Sequence, residues 1–269
     1  MLEKIKYEYN KNIIYKKMPN MIMAYNQDNG DMYEFNEVGG EILQYVSENM
    51  EIPDIFDKLC SDYSVSKEEI YDDVKSIFNR MISLKIIKIK NKITVKKVYE
   101  VESEKLIDYV NTIKNFDNNF DGCTNFKSLD SSNYNDWIEK TKREEKQENL
   151  PKEYVPSFSY VACIDNEIIG SFNIRPIMNE KVEKYSGNIG YLMNPNYRNK
   201  GLGTRMLEVC LNESKKFNLN EVIITCKETN VGSEKVIKNN NGIFIEKVYS
   251  EDKESIMLRY KIEIGKNEI

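Results

Sequence analysis

The residues best suited to chemistry in this 269-residue chain are Arg198, Asn199, Lys200, Gly201, Leu202, Gly203 and Thr204. They follow an apolar run at 189–193 and a turn, Asn194-Pro195-Asn196. They open a segment with Leu202, Met206, Leu207, Cys210 and Leu211 at helical spacing. The reading is strand, glycine-bearing turn, helix N-terminus. Such a turn aims several backbone N–H groups and the positive end of a helix dipole at one spot. Glycine lets the backbone approach an anion closely, and Arg198 and Lys200 add charge, so a pyrophosphate would fit there. A plain helix cap would use the same glycines. The spacing is not that of a P-loop, because no Gly-Lys-Ser/Thr closes it, and it lacks the GxGxxG order of a dinucleotide site.

Composition removes several other chemistries. There is no histidine, which excludes Ser-His-Asp and Cys-His catalysis and any histidine-ligated metal. Cys60, Cys123, Cys163, Cys210 and Cys226 are scattered, odd in number and free of C-x-x-C spacing, so neither a disulfide framework nor a zinc site is expected. A formal net charge of -5 argues against a general nucleic-acid binder. No apolar run approaches membrane-span length, and residues 1–17 lack a signal peptide's apolar centre. The expectation is a cytoplasmic protein with neither membrane nor nucleic acid as partner, and no metal.

The length suits two domains, placed at 1–98 and 99–269. In the first, apolar runs at 21–25 and 32–35 flank a turn cluster at 26–31 and predict a β-hairpin. Asn36 is a candidate N-cap for a helix with Ile42, Leu43 and Val46. A second helix carries Ile55, Phe56, Leu59 and Tyr63. A third starts at Ser66 with Glu69 as a capping box, and Ile70, Val74, Ile77, Phe78, Met81 and Ile82 form its apolar face. Runs at 86–89 and 93–95 read as a terminal strand pair around Asn91-Lys92. The result is winged-helix-like. Residues 1–95 hold 13 Lys+Arg against 16 Asp+Glu, and the third helix begins with Glu68, Glu69, Asp72 and Asp73. That start is poor for entering a DNA groove.

In the second half, helices are expected over 103–115 and 133–148, then strands over 160–164, 168–175 and 187–193. The 198–204 turn and its helix follow. A fully apolar and so buried strand comes at 222–226, then a helix at 233–239 and strands at 243–248 and 255–262.

Two resemblances fit these orders. The stretch from Asp31 through Met32, Tyr33, Glu34, Phe35, Asn36, Glu37, Val38, Gly39, Gly40 and Glu41 to Ile42, followed by Ile55-Phe56-Asp57-Lys58-Leu59 and the third helix, resembles the PqqD-like family, or RiPP recognition element, over about residues 10–90. That resemblance implies capture of a precursor peptide's leader as a strand added to the edge at 32–35 (Met32 to Phe35), facing the third helix within 74–82. The order R-x-x-G-x-G resembles the acyl-CoA loop of GNAT acetyltransferases. So do Glu148-Asn149-Leu150-Pro151, Val155-Pro156-Ser157, Gly187-Asn188-Ile189-Gly190-Tyr191, Ile224-Thr225-Cys226 and Asn230, over about residues 103–262. The implied fold class is α+β: a winged-helix-like PqqD domain followed by a GNAT fold with a mixed central sheet.

The GNAT resemblance implies acetyl-CoA or a longer acyl-CoA as donor. Its pyrophosphate would lie on the N–H groups around Lys200 to Thr204, after Arg198 and Asn199. The strand ending Leu192-Met193 would splay from its neighbour and pair with the pantetheine arm, an N–H near Met193 would polarise the thioester carbonyl, and Asn230 would hold pantetheine or double as a helix N-cap. The family's usual acid, a tyrosine, is Ile237 here, which leaves Tyr191, Tyr185 or a water for that part. A position commonly histidine is Asn188, which cannot act as a base; Glu228 is the candidate base. Asn188, Tyr191 and Glu228 are thus the catalytic candidates.

Together these readings imply an N-acyltransferase, most simply acetylating, that modifies a lysine, ornithine or N-terminal amine of a precursor peptide. Two alternatives stand beside it. One is a small-molecule or protein N-acetyltransferase whose first domain serves for dimerisation, so a homodimer is left open. The other is a peptide-binding protein with an inactive GNAT fold.

Overall fold

Short alternating strands begin the chain: β1 (Tyr7–Tyr9), β2 (Ile13–Met18), β3 (Met21–Asn26) and β4 (Met32–Asn36). The structure, a computed structural model, describes residues 2–265. Strands β2, β3 and β4 form an antiparallel sheet in that order, so the expected hairpin is β3–β4 with β2 added on its other side. Ile22 and Ala24 point from β3 into the core, as period-two alternation requires. The helices are α1 (Glu37–Ser47), α2 (Ile52–Tyr63) and α3 (Lys67–Ser83). Asn36 caps α1, accepting from Gly39 N–H at 2.9 Å. Glu69 accepts from Ser66 N–H at 2.7 Å at the start of α3. Phe35, Ile42, Leu43, Ile55, Phe56, Leu59, Val74, Phe78 and Met81 close the core of this unit.

The expected terminal strand pair does not form. Strand β5 (Ile87–Ile89) pairs with β1, Tyr9 opposite Ile87, while β6 (Thr94–Lys97) pairs with a strand of the second half. Asn91 explains the difference. It is buried, accepts from Lys6 N–H at 2.7 Å and donates to Lys4 C=O at 2.9 Å. It ties the chain to the N-terminal segment instead of turning a hairpin.

The second half adds α4 (Ser103–Phe116), α5 (Tyr134–Arg143), β7 (Phe158–Ile164), β8 (Glu167–Ile174), α6 (Glu180–Tyr185), β9 (Ile189–Met193) and α7 (Leu202–Ser214). It ends with β10 (Glu221–Lys227), α8 (Val231–Asn239), β11 (Ile243–Ser250) and β12 (Ser255–Glu263). The helix expected to reach 148 stops at Arg143, beyond which the chain is charged and partly exposed. Strand order runs β6-β7-β8-β9 and β10-β12-β11. From β8, Ser171 bonds the Tyr109 hydroxyl of α4 at 2.9 Å, while a side chain on neighbouring Gly170 would meet Met206 of α7. Helices therefore cover both faces, which is why β7 and β8 are buried almost end to end.

The fold is α+β, as expected. The chain divides into two compact units, Met1–Lys92 with Asn199–Gly201, and Ile93–Arg198 with Leu202–Ile269.

Candidate functional site

The sheet of the second unit is forked. Strand β9 pairs with β8 and β10 pairs with β12, yet β9 and β10 are joined by no ladder, only by an isolated bridge from Gly187, just before β9, to Ile224. Asn188 secures the root of the fork. Its N–H donates to Ile223 C=O at 2.7 Å, its Oδ1 accepts from Ile223 N–H at 2.8 Å, and its Nδ2 donates to Arg175 C=O at 3.0 Å. Asn188 is 3% exposed, and its side-chain amide stands in for the ladder bonds that end there.

Beyond the root, β9 presents an open edge. Asn188 C=O accepts from Arg175 N–H, and Asn194 N–H donates to Ile169 C=O. Antiparallel alternation then directs the backbone of 190 and 192 to β8 and that of Ile189, Tyr191 and Met193 outward, to the side of the fork. The loop after α4 packs on the β9 backbone at Gly190 and Tyr191 only. Gly122 has φ of 93°, and a Cβ there would fall 2.4 Å from Tyr191 O. Only glycine fits such an approach.

The open edge leads into the glycine-bearing turn. Arg198 Nε donates to Met193 C=O at 3.3 Å, and Arg198 pairs with Asp117 at the end of α4. Burial works to raise the Asp117 carboxyl, but the hydrogen bonds from Arg198 and from Asn119 N–H, with the Arg198 charge, together outweigh it and hold the group below its usual range. Gly201 has φ of 70° just before α7 begins at Leu202. The first N–H groups of that helix have no partner within it. Gly203 and Thr204 lie in its first turn against α8: a Cβ on Gly203 would come 3.1 Å from Val236, and Asn240 Nδ2 donates to Thr204 C=O at 3.0 Å. Asn199, Lys200 and Gly201 group with the first unit. Lys200 is buried, which lowers its ammonium pKa to about 8.

Tyr191 crosses the fork. Its hydroxyl bonds Ser233 Oγ at 2.8 Å and donates to Ser233 C=O at 3.2 Å in the first turn of α8. Burial raises its pKa well above the ordinary phenol value, with the Ser233 bond opposing, so it stays protonated. Asn230 is the N-cap of α8, accepting from Ser233 N–H at 3.0 Å. Glu228 lies apart, in an ion pair with Lys247 of β11 at 2.5 Å. Ile237 is fully buried on α8.

Leu192, Met193, Arg198 and the start of α7 thus follow one another along one edge, with Tyr191 beside them. Sequence reasoning missed Asp117, Ser233 and Arg175, since none belongs to a quoted motif and each is brought in by tertiary packing. Among the described residues no group of three or more His, Cys, Asp or Glu is placed to hold a metal, and no helix is long and apolar enough to cross a membrane.

Residues 124–242 match the model of the acetyltransferase (GNAT) family, and residues 22–87 match that of coenzyme PQQ synthesis protein D (PqqD). No curated protein matches the chain. Similar solved structures include yncA of Salmonella typhimurium, solved with its cofactor acetyl-CoA (10% identity, 66% of this chain and 98% of that one, TM-score 0.44). Another is the GNAT-family acetyltransferase of Streptococcus pneumoniae (16%, 65% and 100%, 0.43). A third is RimL, the ribosomal L7/L12 alpha-N-protein acetyltransferase, in complex with coenzyme A (14%, 65% and 95%, 0.46). The chain joins a PqqD-type region to a GNAT-type region.

Proposed function

We propose that this chain is an acyl-CoA-dependent N-acyltransferase, most simply an acetyltransferase, acting on an amine of a ribosomally made precursor peptide held by its leader. The observation that carries the reading is the open β9 edge running into a glycine-bearing helix N-terminus, inside the stretch that matches the GNAT model. An acyl-CoA supplies an activated thioester there, and the residues present fit it: an unpaired strand edge for amides and a helix N-terminus with Arg198 for a pyrophosphate.

In this reading the N–H groups from Lys200 to Thr204 hold the pyrophosphate, and the outward backbone at Met193 directs an N–H at the acyl carbonyl. Tyr191, neutral and two residues earlier on β9, donates the proton needed by the departing sulfur. Asn188 positions the strands and takes no proton. Glu228 would become the base only after leaving Lys247. On the first unit, the leader adds to β4. Asn26 N–H donates to Asp31 C=O, so Tyr33 and Phe35 bond to β3 while Met32 and Glu34 turn their backbone outward. Arg80 of α3 already takes Glu34 C=O at 2.9 Å, leaving the edge's remaining groups for a peptide.

A second reading, a peptide-binding protein with an inactive GNAT unit, draws on Ile237 at the place of the family's acid. Calorimetric titration of the whole protein separates them, using CoA and synthetic peptides encoded by short genes adjacent to this one. CoA and peptide binding together support the proposal. Peptide binding without CoA favours the inactive reading, and CoA binding without any peptide sinks the peptide substrate. Mass spectrometry after co-expression then gives the acyl mass and its position.

A further inference from the structure

The root of the fork carries a concentration of positive charge that the acyl-donor residues do not use. Lys227, the last residue of β10, pairs with Asp121 at 2.8 Å. Asp121 precedes Gly122, which lies on the backbone of Gly190 and Tyr191, so this pair spans the opening from β10 to β9. Arg175, just past β8, donates from Nε to Gly187 C=O at 3.0 Å, and its Nη2 is 3.3 Å from the point where a Cβ on Gly190 would stand. Burial lowers its guanidinium pKa, opposed by the Cys123 thiol and by no carboxylate.

Lys253 arrives from the turn between β11 and β12. The residue is exposed, and its ammonium donates to Tyr185 C=O at 2.9 Å, the carbonyl that also accepts from Thr225 of β10 at 3.1 Å. Burial lowers this ammonium; Asp121 then raises it, Arg175 and Lys227 lower it, and Asp252 raises it. Asp252 is itself held by Lys181 at 2.7 Å. Lys227 and Lys253 therefore share Asp121, with Arg175 beside them and without a carboxylate of its own. Neutralising them needs a further negative charge, and a bare ammonium would be repelled.

We propose that Arg175, Lys227 and Lys253 form the anion-recognising part of the acceptor site, and that the acylated amine has a carboxylate beside it. This rests on the acyltransferase reading. The carboxylate belongs either to a free amino acid or to an acidic residue next to the target amine in a peptide; both present the same two oxygens to the cluster.

The test is titration of the full chain, with and without CoA, against peptides that differ only beside a single lysine: glutamate, glutamine or lysine. The glutamate peptide is expected to bind at least about tenfold more tightly than the glutamine peptide, the ratio one charge-assisted hydrogen bond supplies. The lysine peptide should be the weakest, and the preference should collapse in Lys253→Glu. Should that variant not fold, Lys227→Gln carries the same comparison. Free glutamate competing as well as the peptide assigns the carboxylate to an amino acid; competition by the peptide alone assigns it to a residue. Equal affinity for the glutamate and glutamine peptides, or binding of neither, overturns the proposal. Glutamate preference without CoA binding would sink the acyltransferase reading and leave the anion site standing.

Discussion

Asn188 shows how much one side chain does at the root of the fork. It supplies an acceptor to Ile223 N–H and a donor to Arg175 C=O, both in a buried place. Asn188→Ala orphans both groups, at about 1–3 kcal/mol each. Urea unfolding should show that loss, and an unchanged midpoint would contradict the staple. The sequence exposed Asn188 as a departure from the expected histidine, but not its partner thirty-five positions on, because chain distance carries no register. Tyr191 is the other test at this scale. Tyr191→Phe keeps the ring and removes the proton donor, so kcat should fall by about a hundredfold with KM for acyl-CoA little changed. Its folded pKa lies above the unfolded value of about 10. The stability it contributes is therefore intact below about pH 10 and lost as pH rises past that. Tyr191→Phe should flatten this alkaline decline in thermal melts.

Strand β4 is the element on which the peptide reading turns. Its outward groups come from Met32 and Glu34, while Tyr33 and Phe35 hold it to β3. Proline at position 34 removes one outward N–H without touching that ladder. Glu34→Pro should weaken peptide binding about tenfold or more, the worth of a lost charge-free hydrogen bond plus a blocked edge. CoA binding and the thermal midpoint should stay as they were; loss of both would mean that β4 is needed for folding. Alternation and the turn at 26–31 made this hairpin legible. The pairing of β5 and β6 was not legible, because two short apolar runs announce strands without naming partners, and buried Asn91 sent them apart.

At the scale of the whole molecule, each unit has its own core; the proposed leader edge, β4, lies in the first, and Met193 and the start of α7 lie in the second. Calorimetry of the intact protein should resolve two transitions. A ligand at a hundred times its Kd adds about 2.7 kcal/mol to the unit that binds it. CoA should raise the second unit's transition by roughly 5–10 °C; a leader peptide should raise the first unit's transition and leave the second in place. One shared shift with either ligand would show that the units unfold together. From sequence alone came the two-part organisation, the α+β class, most strands and helices, and the loop suited to a pyrophosphate. Those follow from local periodicity, caps and glycine spacing. The tertiary structure decided where the sheet parts, what Asn188 holds, how Tyr191 reaches Ser233, and that Lys227 and Lys253 meet at Asp121. These depend on register between strands far apart in the chain, and no local pattern encodes register.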